Sequence, residues 1–397
     1  MEYTKSVQII IDKLLVILND IENKSIDKVD ISGIQDAVAD VNGALYYSQT
    51  LKIQKEHNLA NQEEYQNYIN EVRQIIEMWQ LSLSRRNGNL VDCVSWEIYE
   101  YFKYVPEDII FETVKNHFDT LPKTQKEEYL TLQKRYTFLS GKIDFVEEDY
   151  SLITQCISVM SEKIEAYRWL YDRLSDYRSK CTLNGIIRYW FDFDLGRLHS
   201  FAERIFPSYY DLDIITCDEN EVMVDLGAYI GDSVLGFIDM YNDYKKIYAY
   251  EITPDTFEVL CRNIVDKKNV ILRQKGVSSE CGTMYLSNDN YNLDASAGNK
   301  LVCDGNISVE VTTLDEDIHE PITLIKMDIE GAEKDALLGS RRHIMEEKPK
   351  LMISAYHLIA DMFDIPDLIY KMRDDYNFYM RLNGCGIWPC DYVLYAV

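Results

Sequence analysis

A strand, a glycine turn and a helix start follow one another in residues 221–231, and this run constrains the fold most. Its first six residues have the apolar character of a buried strand, and Asp225 stands near the strand end. Gly227 and Gly231 then bracket a short turn, and an apolar-periodic helix follows. Because glycine lets the backbone approach a ligand and a helix start offers unpaired N–H groups, the run predicts a ligand site.

The spacing of the two glycines helps to choose the ligand. A dinucleotide fold needs G-x-G-x-x-G, with a second glycine where the backbone touches the pyrophosphate. Here the pattern is Asp-x-Gly-Ala-x-x-Gly, and an acid at the strand tip suits a cationic amine better than a pyrophosphate. S-adenosylmethionine carries such an amine together with ribose hydroxyls, so we predict it as the cofactor. A nicotinamide-dependent oxidoreductase is a weaker alternative.

A second acid follows one strand later. Residues 246–251 have the pattern of a strand that ends in Glu251, about one βαβ unit beyond the glycine turn. In dinucleotide folds an acid at this place bonds the two ribose hydroxyls. A lone carboxylate at a strand end is often only solvated, but the pair of Asp225 and Glu251 at this separation favours a cofactor site.

Strand and helix signals alternate from residue 219 to residue 397. Strands are predicted at 221–226, 246–251, 269–274, 322–327, 350–355, 377–382 and 391–396, with a hairpin at 282–286 and 309–314. Helices are predicted at 231–242, 254–266, 332–346 and 364–375. This order predicts an α/β, Rossmann-like doubly wound sheet of seven strands, mostly parallel with an antiparallel edge. Ligands of such sheets bind at the carboxyl ends of the strands, where both acids lie.

Residues 1–145 show helical rather than strand periodicity. Three segments repeat apolar residues at intervals of three and four: 7–21, 34–45 and 65–83. Each segment is too short for a long coiled coil, so we expect a helical bundle domain over 1–145. Helical character continues through 146–218, which we expect to be a lead-in packed on a catalytic domain at 219–397.

The acidic composition limits the partners. The chain has 397 residues, a formal net charge of −26 and 47% hydrophobic residues. Nucleic acid is bound mainly through Lys and Arg, and no basic run is present, so no nucleic-acid partner is expected. No apolar stretch reaches membrane-spanning length, and no signal peptide is visible. The nine cysteines are scattered without a C-x-x-C pair, which favours reduced thiols, no metal site and a cytoplasmic protein.

Residues 221–397 resemble the FkbM-type family of S-adenosylmethionine-dependent methyltransferases. The segments that carry the resemblance are 224–232, 247–251, 313–315, 324–333 and 352–357. The most specific of them contains Lys-x-Asp-x-Glu-Gly-Ala-Glu. The resemblance implies that Asp225, Gly227, Gly231 and Glu251 hold the cofactor, with Val277 and Ser278 near its adenine. The predicted cofactor-binding set also includes Tyr209, Ala228, Tyr229, Asp232, Ser233 and Ile252.

Methyl transfer to a sugar hydroxyl needs a general base or a metal-bound oxygen, because the hydroxyl is not acidic enough to attack unaided. His357, with an ordinary pKa of about 6.5, and Asp328 at the tip of the fourth strand are the candidates. Glu330 is expected to orient the acceptor or the histidine, and Lys326 to pair with these carboxylates. An amine acceptor would need only loss of its ammonium proton. Structural roles stay open for all four: an ion pair, a helix N-cap and a core histidine.

We therefore expect a methyltransferase that acts on an oxygen or nitrogen of a glycan or a glycan-linked small molecule. The N-terminal helices resemble those fused to methyltransferases and glycosyltransferases of bacterial surface and flagellar glycan clusters, which implies a role in flagellin glycosylation or related glycan modification. A homo-oligomer or a glycosyltransferase partner is one expectation for these helices. The alternative is an assembly module whose helices bind partners while the sheet domain binds cofactor without turnover.

Overall fold

The computed structural model describes residues 90–397, except 137–138, 204, 242, 287–300, 304 and 306. The three helical segments predicted within the first 83 residues therefore lie outside the described residues. Helices occupy the described chain up to residue 200, and strands alternate with helices from residue 222 onward. No helix in the described ranges is long and apolar enough to cross a membrane.

The helices that precede the sheet begin and end at well-defined residues. They are α1 (Leu90–Tyr104), α2 (Glu107–Thr120), α3 (Lys123–Tyr129), α4 (Leu132–Arg135), α5 (Ser151–Glu162), α6 (Ile164–Arg173), α7 (Tyr177–Asp192) and α8 (Leu195–Ser200). Pro106 and Pro122 directly precede α2 and α3, because the fixed φ of proline suits a helix start. Asp176 caps α7 by accepting the backbone N–H of Ser179 at 2.7 Å.

Seven strands form the central sheet. They are β1 (Val222–Leu226), β2 (Lys246–Tyr250), β3 (Val270–Arg273), β8 (Leu324–Met327), β9 (Lys350–Ser354), β10 (Phe378–Cys385) and β11 (Pro389–Ala396). Their spatial order is β10-β11-β9-β8-β1-β2-β3. Five adjacent strands run parallel to one another: β3, β2, β1, β8 and β9. At the edge of the sheet, β11 is antiparallel to both β9 and β10. The predicted fold class, a doubly wound sheet with an antiparallel edge, is confirmed.

The strand order reverses at β1, which lies between β2 and β8. Asp225 in β1 is in register with Ala249 in β2 and with Lys326 in β8. Such a reversal opens a crevice at the carboxyl ends of the strands, where ligands of doubly wound sheets bind. The glycine turn that follows β1 therefore lies at the ligand-binding edge of the sheet.

Shorter strands form a second sheet beside the first. They are β4 (Gly276–Val277), β5 (Gly282–Leu286), β6 (Leu301–Val302) and β7 (Ile307–Thr312), in the order β4-β7-β5-β6. The antiparallel pair of β5 and β7 occupies the region where the sequence predicts a hairpin. The helices of this half are α9 (Asp232–Met240), α10 (Pro254–Ile264), α11 (Leu314–Asp317), α12 (Glu333–Leu338), α13 (Arg341–Glu347) and α14 (Asp361–Met372).

One predicted helix is wrong in its extent. The segment 332–346 was expected to be a single helix, but it divides into α12 and α13 at Gly339 and Ser340. A Cβ on Gly339 would lie 2.0 Å from the carbonyl oxygen of Ser278, so this backbone packs directly against the end of β4. The close approach accounts for the break, and a pattern of apolar residues cannot reveal it.

The helices before the sheet share its hydrophobic core. Buried residues from Val91 to Leu198 belong to the same cluster as Val224 and Ile325 in the central strands. Among the described residues, this core continues across the predicted boundary between residues 145 and 146. The lead-in is also tied to the sheet by Arg381 in β10, which lies 2.6 Å from carboxylate oxygens of both Asp176 and Asp211.

Candidate active site

The turn after β1 is held by backbone hydrogen bonds to the neighbouring strand. The N–H groups of Gly227 and Ala228 both donate to the carbonyl oxygen of Tyr250, at 3.0 and 2.8 Å. Gly227 has φ +78°, and a Cβ there would lie 1.9 Å from the carbonyl oxygen of Asp328. Only glycine fits this position, because L side chains rarely adopt such a φ and the backbone after β8 fills the space.

Glu251 lies at the end of β2 and is almost completely buried. Its Oε2 accepts the N–H of Tyr229 at 3.1 Å, and its Oε1 accepts the N–H of Thr253 at 2.7 Å. Burial raises the pKa of Glu251, although these N–H groups favour the ionised form. The carboxylate therefore fixes the glycine turn and also borders the cavity, where its predicted contact with the ribose remains a prediction.

Asp225 is completely buried and forms an ion pair with Lys326. The distance from Lys326 Nζ to Asp225 Oδ1 is 2.9 Å, and the same Nζ donates to the carbonyl oxygen of Gly227 at 2.8 Å. The hydroxyl of Ser233 donates to the other oxygen of Asp225. Burial lowers the pKa of Lys326, but the nearby carboxylates outweigh this effect and raise it. The ion pair considered from the sequence joined Lys326 to Glu330, whereas the structure pairs Lys326 with Asp225.

Asp328 follows β8 and stands at the wall of the cavity. Its Oδ2 accepts the hydroxyl of Tyr209 at 2.8 Å, and its Oδ1 accepts the hydroxyl of Tyr356 at 3.3 Å. The side chain is 28% exposed. Burial favours the neutral acid, but the positive charges of Lys326 and His357 hold the pKa of Asp328 below its usual range. The result is an ionised carboxylate whose orientation is set by two phenols.

His357 is buried behind this carboxylate. Its Nδ1 lies 2.9 Å from Glu333 Oε1, and its Nε2 lies 3.4 Å from Asp328 Oδ1 and 3.7 Å from Glu330 Oε1. Burial lowers the pKa of His357, but the three carboxylates outweigh it and raise the pKa to about 10. An imidazolium has no lone pair to accept a proton. The predicted role of His357 as general base therefore requires the neutral ring, and it stays a prediction.

A cavity of about 260 Å³ lies above the carboxyl ends of β1, β2 and β8. The predicted site residues that line it are Tyr209, Gly227, Tyr229, Asp232, Ser233, Glu251, Ile252, Val277, Lys326, Asp328 and Glu330. The structure does not place the others on its wall: Asp225, Ala228, Gly231, Ser278 and His357. These five residues lie next to lining residues in the chain. Direct contact of Asp225 with a cofactor amine, or of Ser278 with an adenine, therefore stays a prediction.

Sequence reasoning missed two residues that organise this site. Glu333 binds His357 from the first position of α12, and Tyr356 lines the cavity beside Asp328. Both stand in the segments that carried the family resemblance, 324–333 and 352–357. The signal for Glu333 was its position five residues after Asp328, at the start of a helix that follows a strand tip. No pattern in the sequence indicated which of these acids would face the histidine.

Comparison with known proteins identifies the class of the sheet domain. Residues 225–380 match the family model of the methyltransferase FkbM domain. The crystal structure of methyltransferase FkbM from Methylobacillus flagellatus KT is similar, at 26% identity and a TM-score of 0.51. The similarity covers 61% of this chain and 62% of that protein, so it spans less than two thirds of the relative's length. No curated protein matches the chain.

Two further solved structures are more distant. An rRNA methylase from Streptococcus thermophilus shares 16% identity, with a TM-score of 0.29, over 45% of this chain and 87% of that one. A putative methyltransferase from Streptococcus mutans in complex with SAH shares 14% identity, with a TM-score of 0.29, over 45% and 89%.

The fold and the site define a Rossmann-like domain of the S-adenosyl-L-methionine-dependent methyltransferase class. Within that class, residues 225–380 match the methyltransferase FkbM domain. The predicted family and the predicted cofactor are thereby confirmed. The resemblance of the N-terminal helices to glycan-modification proteins stays a prediction.

Proposed function

We propose that this chain transfers a methyl group from S-adenosyl-L-methionine to an oxygen or nitrogen of a glycan or a glycan-linked small molecule. The observation that carries the proposal is Asp328. Its carboxylate is ionised, partly exposed and fixed by Tyr209 and Tyr356 on the wall of the cavity that also contains the glycine turn. A proton acceptor therefore lies beside the cofactor site.

The residues of the cavity fit the proposed cofactor. Gly227 lets the turn pack against the backbone after β8, Glu251 offers a carboxylate to hydroxyl groups, and Val277 contributes an apolar wall. When bound, the cofactor supplies a methyl group that the sulfonium has already activated. The protein then mainly has to position the two reactants, an effect that can contribute ~7–11 kcal/mol to lowering the barrier.

Asp328 supports both kinds of acceptor. Towards a hydroxyl, its carboxylate accepts the proton as the oxygen attacks, a contribution of about 10²–10⁴ in rate. Towards an amine, the same carboxylate binds the ammonium form and orients the nitrogen after its proton is lost. His357 keeps Asp328 ionised in either case, because its positive charge lies 3.4 Å from the carboxylate.

The acceptor class is argued from charge and from resemblance. The net charge of −26 opposes a nucleic-acid acceptor. The family resemblance of the helices supports a glycan acceptor in bacterial surface or flagellar glycan modification. We extend the proposal to a cytoplasmic protein whose helices bind a second copy or a glycosyltransferase.

The test compares cofactor binding with methyl transfer. We expect S-adenosylhomocysteine, but not NAD, to raise the melting temperature of the full chain. Asp328→Asn should keep that affinity and lose at least about 100-fold in transfer of labelled methyl to extracted surface glycans. The matched control is Asp335→Asn, because Asp335 is exposed on nearby α12 and should leave both readouts unchanged.

One result would contradict the proposed methyl transfer, and another would remove only the role of Asp328. Binding without transfer to any extracted glycan or amine favours the assembly module that binds cofactor without turnover. Transfer by Asp328→Asn at the native rate removes Asp328 as proton acceptor and leaves the methyltransferase assignment intact.

A further inference from the structure

Glu333 accepts two hydrogen bonds with one carboxylate oxygen. Its Oε1 lies 2.9 Å from the backbone nitrogen of Ile329 and 2.9 Å from Nδ1 of His357. Both side chains of the Glu333–His357 pair are completely buried. The backbone N–H of Ile329 can only donate, and a carboxylate oxygen can only accept, so as a carboxylate Glu333 accepts from both neighbours. A proton on Nδ1 of His357 is therefore required by the geometry.

The opposite edge of the imidazole faces two more acids. Nε2 of His357 lies 3.4 Å from Asp328 Oδ1 and 3.7 Å from Glu330 Oε1. If Nδ1 holds a proton for Glu333, a neutral ring would present the lone pair of Nε2 to both carboxylates. That arrangement is repulsive, whereas an imidazolium presents an N–H there. The three acids are satisfied together only by the cationic ring.

We propose that Glu333 is a positioning residue that fixes His357 in its doubly protonated form, so that Nε2–H orients the carboxylate of Asp328 at the cavity. Glu333 touches neither cofactor nor acceptor and acts through the histidine. The consequence for catalysis rests on the proposed function, because it matters only if Asp328 accepts a proton or binds an ammonium group. The charge state of the histidine can be measured without any acceptor.

Acids from several elements act on this ring. They are Asp328 and Glu330 after β8, Glu333 in α12, Asp361 in α14 and Asp391 in β11. The carboxylates raise the pKa of His357 to about 10, although burial lowers it. Glu333 makes the largest contribution among them. Its removal should therefore lower the pKa more than removal of a more distant acid such as Asp391.

The experiment follows the imidazole nitrogens of the full chain by NMR with labelled histidine. The signals of His357 are assigned by their loss in His357→Gln. In the native protein we expect both nitrogens to stay protonated from pH 6 to about pH 9. In Glu333→Gln the titration midpoint should fall by roughly one to three pH units. The neutral ring should then keep its proton on Nδ1, because the amide oxygen must still accept the N–H of Ile329.

Two variants serve as controls. Glu333→Asp keeps the negative charge and should retain most of the native midpoint. Glu347→Gln removes a His–Glu contact elsewhere in the described chain, 2.7 Å from His343, and should leave the titration midpoint of His357 unchanged. A native midpoint near 6.5, or an unchanged midpoint in Glu333→Gln, would overturn the inference. If Glu333→Gln does not fold, the native midpoint alone decides.

The failure of this inference can be distinguished from failure of the proposed function. If His357 of the native protein titrates near 6.5 and the protein still transfers methyl groups, only the proposed role of Glu333 is wrong. If the NMR titration is as expected, but the protein binds S-adenosylhomocysteine and transfers no methyl group, only the proposed function is wrong.

Discussion

The ammonium group of Lys326 lies 2.9 Å from the carboxylate of Asp225, and both side chains are buried beneath the glycine turn. The two residues are in register on adjacent strands, β8 and β1, where the strand order of the sheet reverses. Because the same ammonium binds the carbonyl oxygen of Gly227, a single cation joins both strands to the turn that borders the cavity.

Loss of this cation should destabilise the protein. Lys326→Met leaves the carboxylate of Asp225 buried without its counter-charge, so we expect a loss of about 3–5 kcal/mol in the free energy of unfolding. Urea denaturation measures it. Lys371→Met is the control, because the pair of Lys371 with Asp367 is exposed on α14 and should change stability by less than about 1 kcal/mol. Equal losses of unfolding free energy in the two variants would show that the buried ion pair stabilises the protein no more than the exposed one.

The glycine turn should not tolerate a methyl group. Gly227→Ala combines a positive φ with a Cβ 1.9 Å from the carbonyl oxygen of Asp328, so we expect a loss of at least about 2 kcal/mol and weaker binding of S-adenosylhomocysteine. A Cβ on Gly282, in β5, would have nothing within 4 Å. Gly282→Ala should therefore leave stability and binding nearly unchanged, and a similar loss there would contradict the steric explanation.

Glu251 should contribute to cofactor affinity through its charge. Glu251→Gln keeps the size of the side chain but removes the ionised acceptor, and bonds to a charged group are worth about 1.5–3 kcal/mol. We therefore expect the Kd for S-adenosylhomocysteine, measured by calorimetry, to rise by roughly 10- to 150-fold. Glu258→Gln on exposed α10 surface is the control and should bind like the native protein. A native Kd in Glu251→Gln would exclude the predicted ribose contact.

Asp361 should make stability depend on pH. Its carboxyl group is buried 3.0 Å from Lys334 Nζ, and burial raises its pKa to about 6. Because the folded pKa exceeds the unfolded value of about 3.9, its contribution is complete below pH 4 and is lost as pH rises through 6. Asp361→Asn removes this titration and should therefore gain stability relative to the native chain between pH 4 and pH 7.

The gain in Asp361→Asn can be at most about 3 kcal/mol, since one pKa unit corresponds to 1.36 kcal/mol. Chemical denaturation at pH 4, 5, 6 and 7 measures it for both proteins. Asp367→Asn, an exposed change on the same helix, should give a curve parallel to that of the native chain. Parallel curves for Asp361→Asn as well would mean that Asp361 titrates normally.

The order of the elements was predictable because each has a strong local signal. Short apolar runs indicated β1 and β8, and Pro254, the first residue of α10, indicated where that helix begins. The division between α12 and α13 was not predictable, because it depends on the contact of Gly339 with Ser278 across the fold. The spacing of apolar residues indicates which face of a helix is buried, but it does not indicate where two backbone segments come into contact.

The candidate site was predictable in its composition but not in its internal pairing. The glycines, Glu251 and Asp328 were indicated by their positions at strand ends. The charge of His357 was not, because it results from acids that α12, the turn after β8 and α14 bring together only in the fold. The same holds for Asp225, whose partner Lys326 comes from a strand about one hundred residues later.

The hydrophobic core that extends from the early helices into the sheet has a consequence for engineering. Tyr189 in α7 packs edge-on against Trp388 at 6.3 Å, and α7 packs against β10. A fragment cut at residue 219 would expose these aromatic surfaces to water and should aggregate rather than fold. Chimeras that graft this methyltransferase sheet onto another protein should therefore include the helices that cover β10, and recombination junctions inside that covering layer should be poorly tolerated.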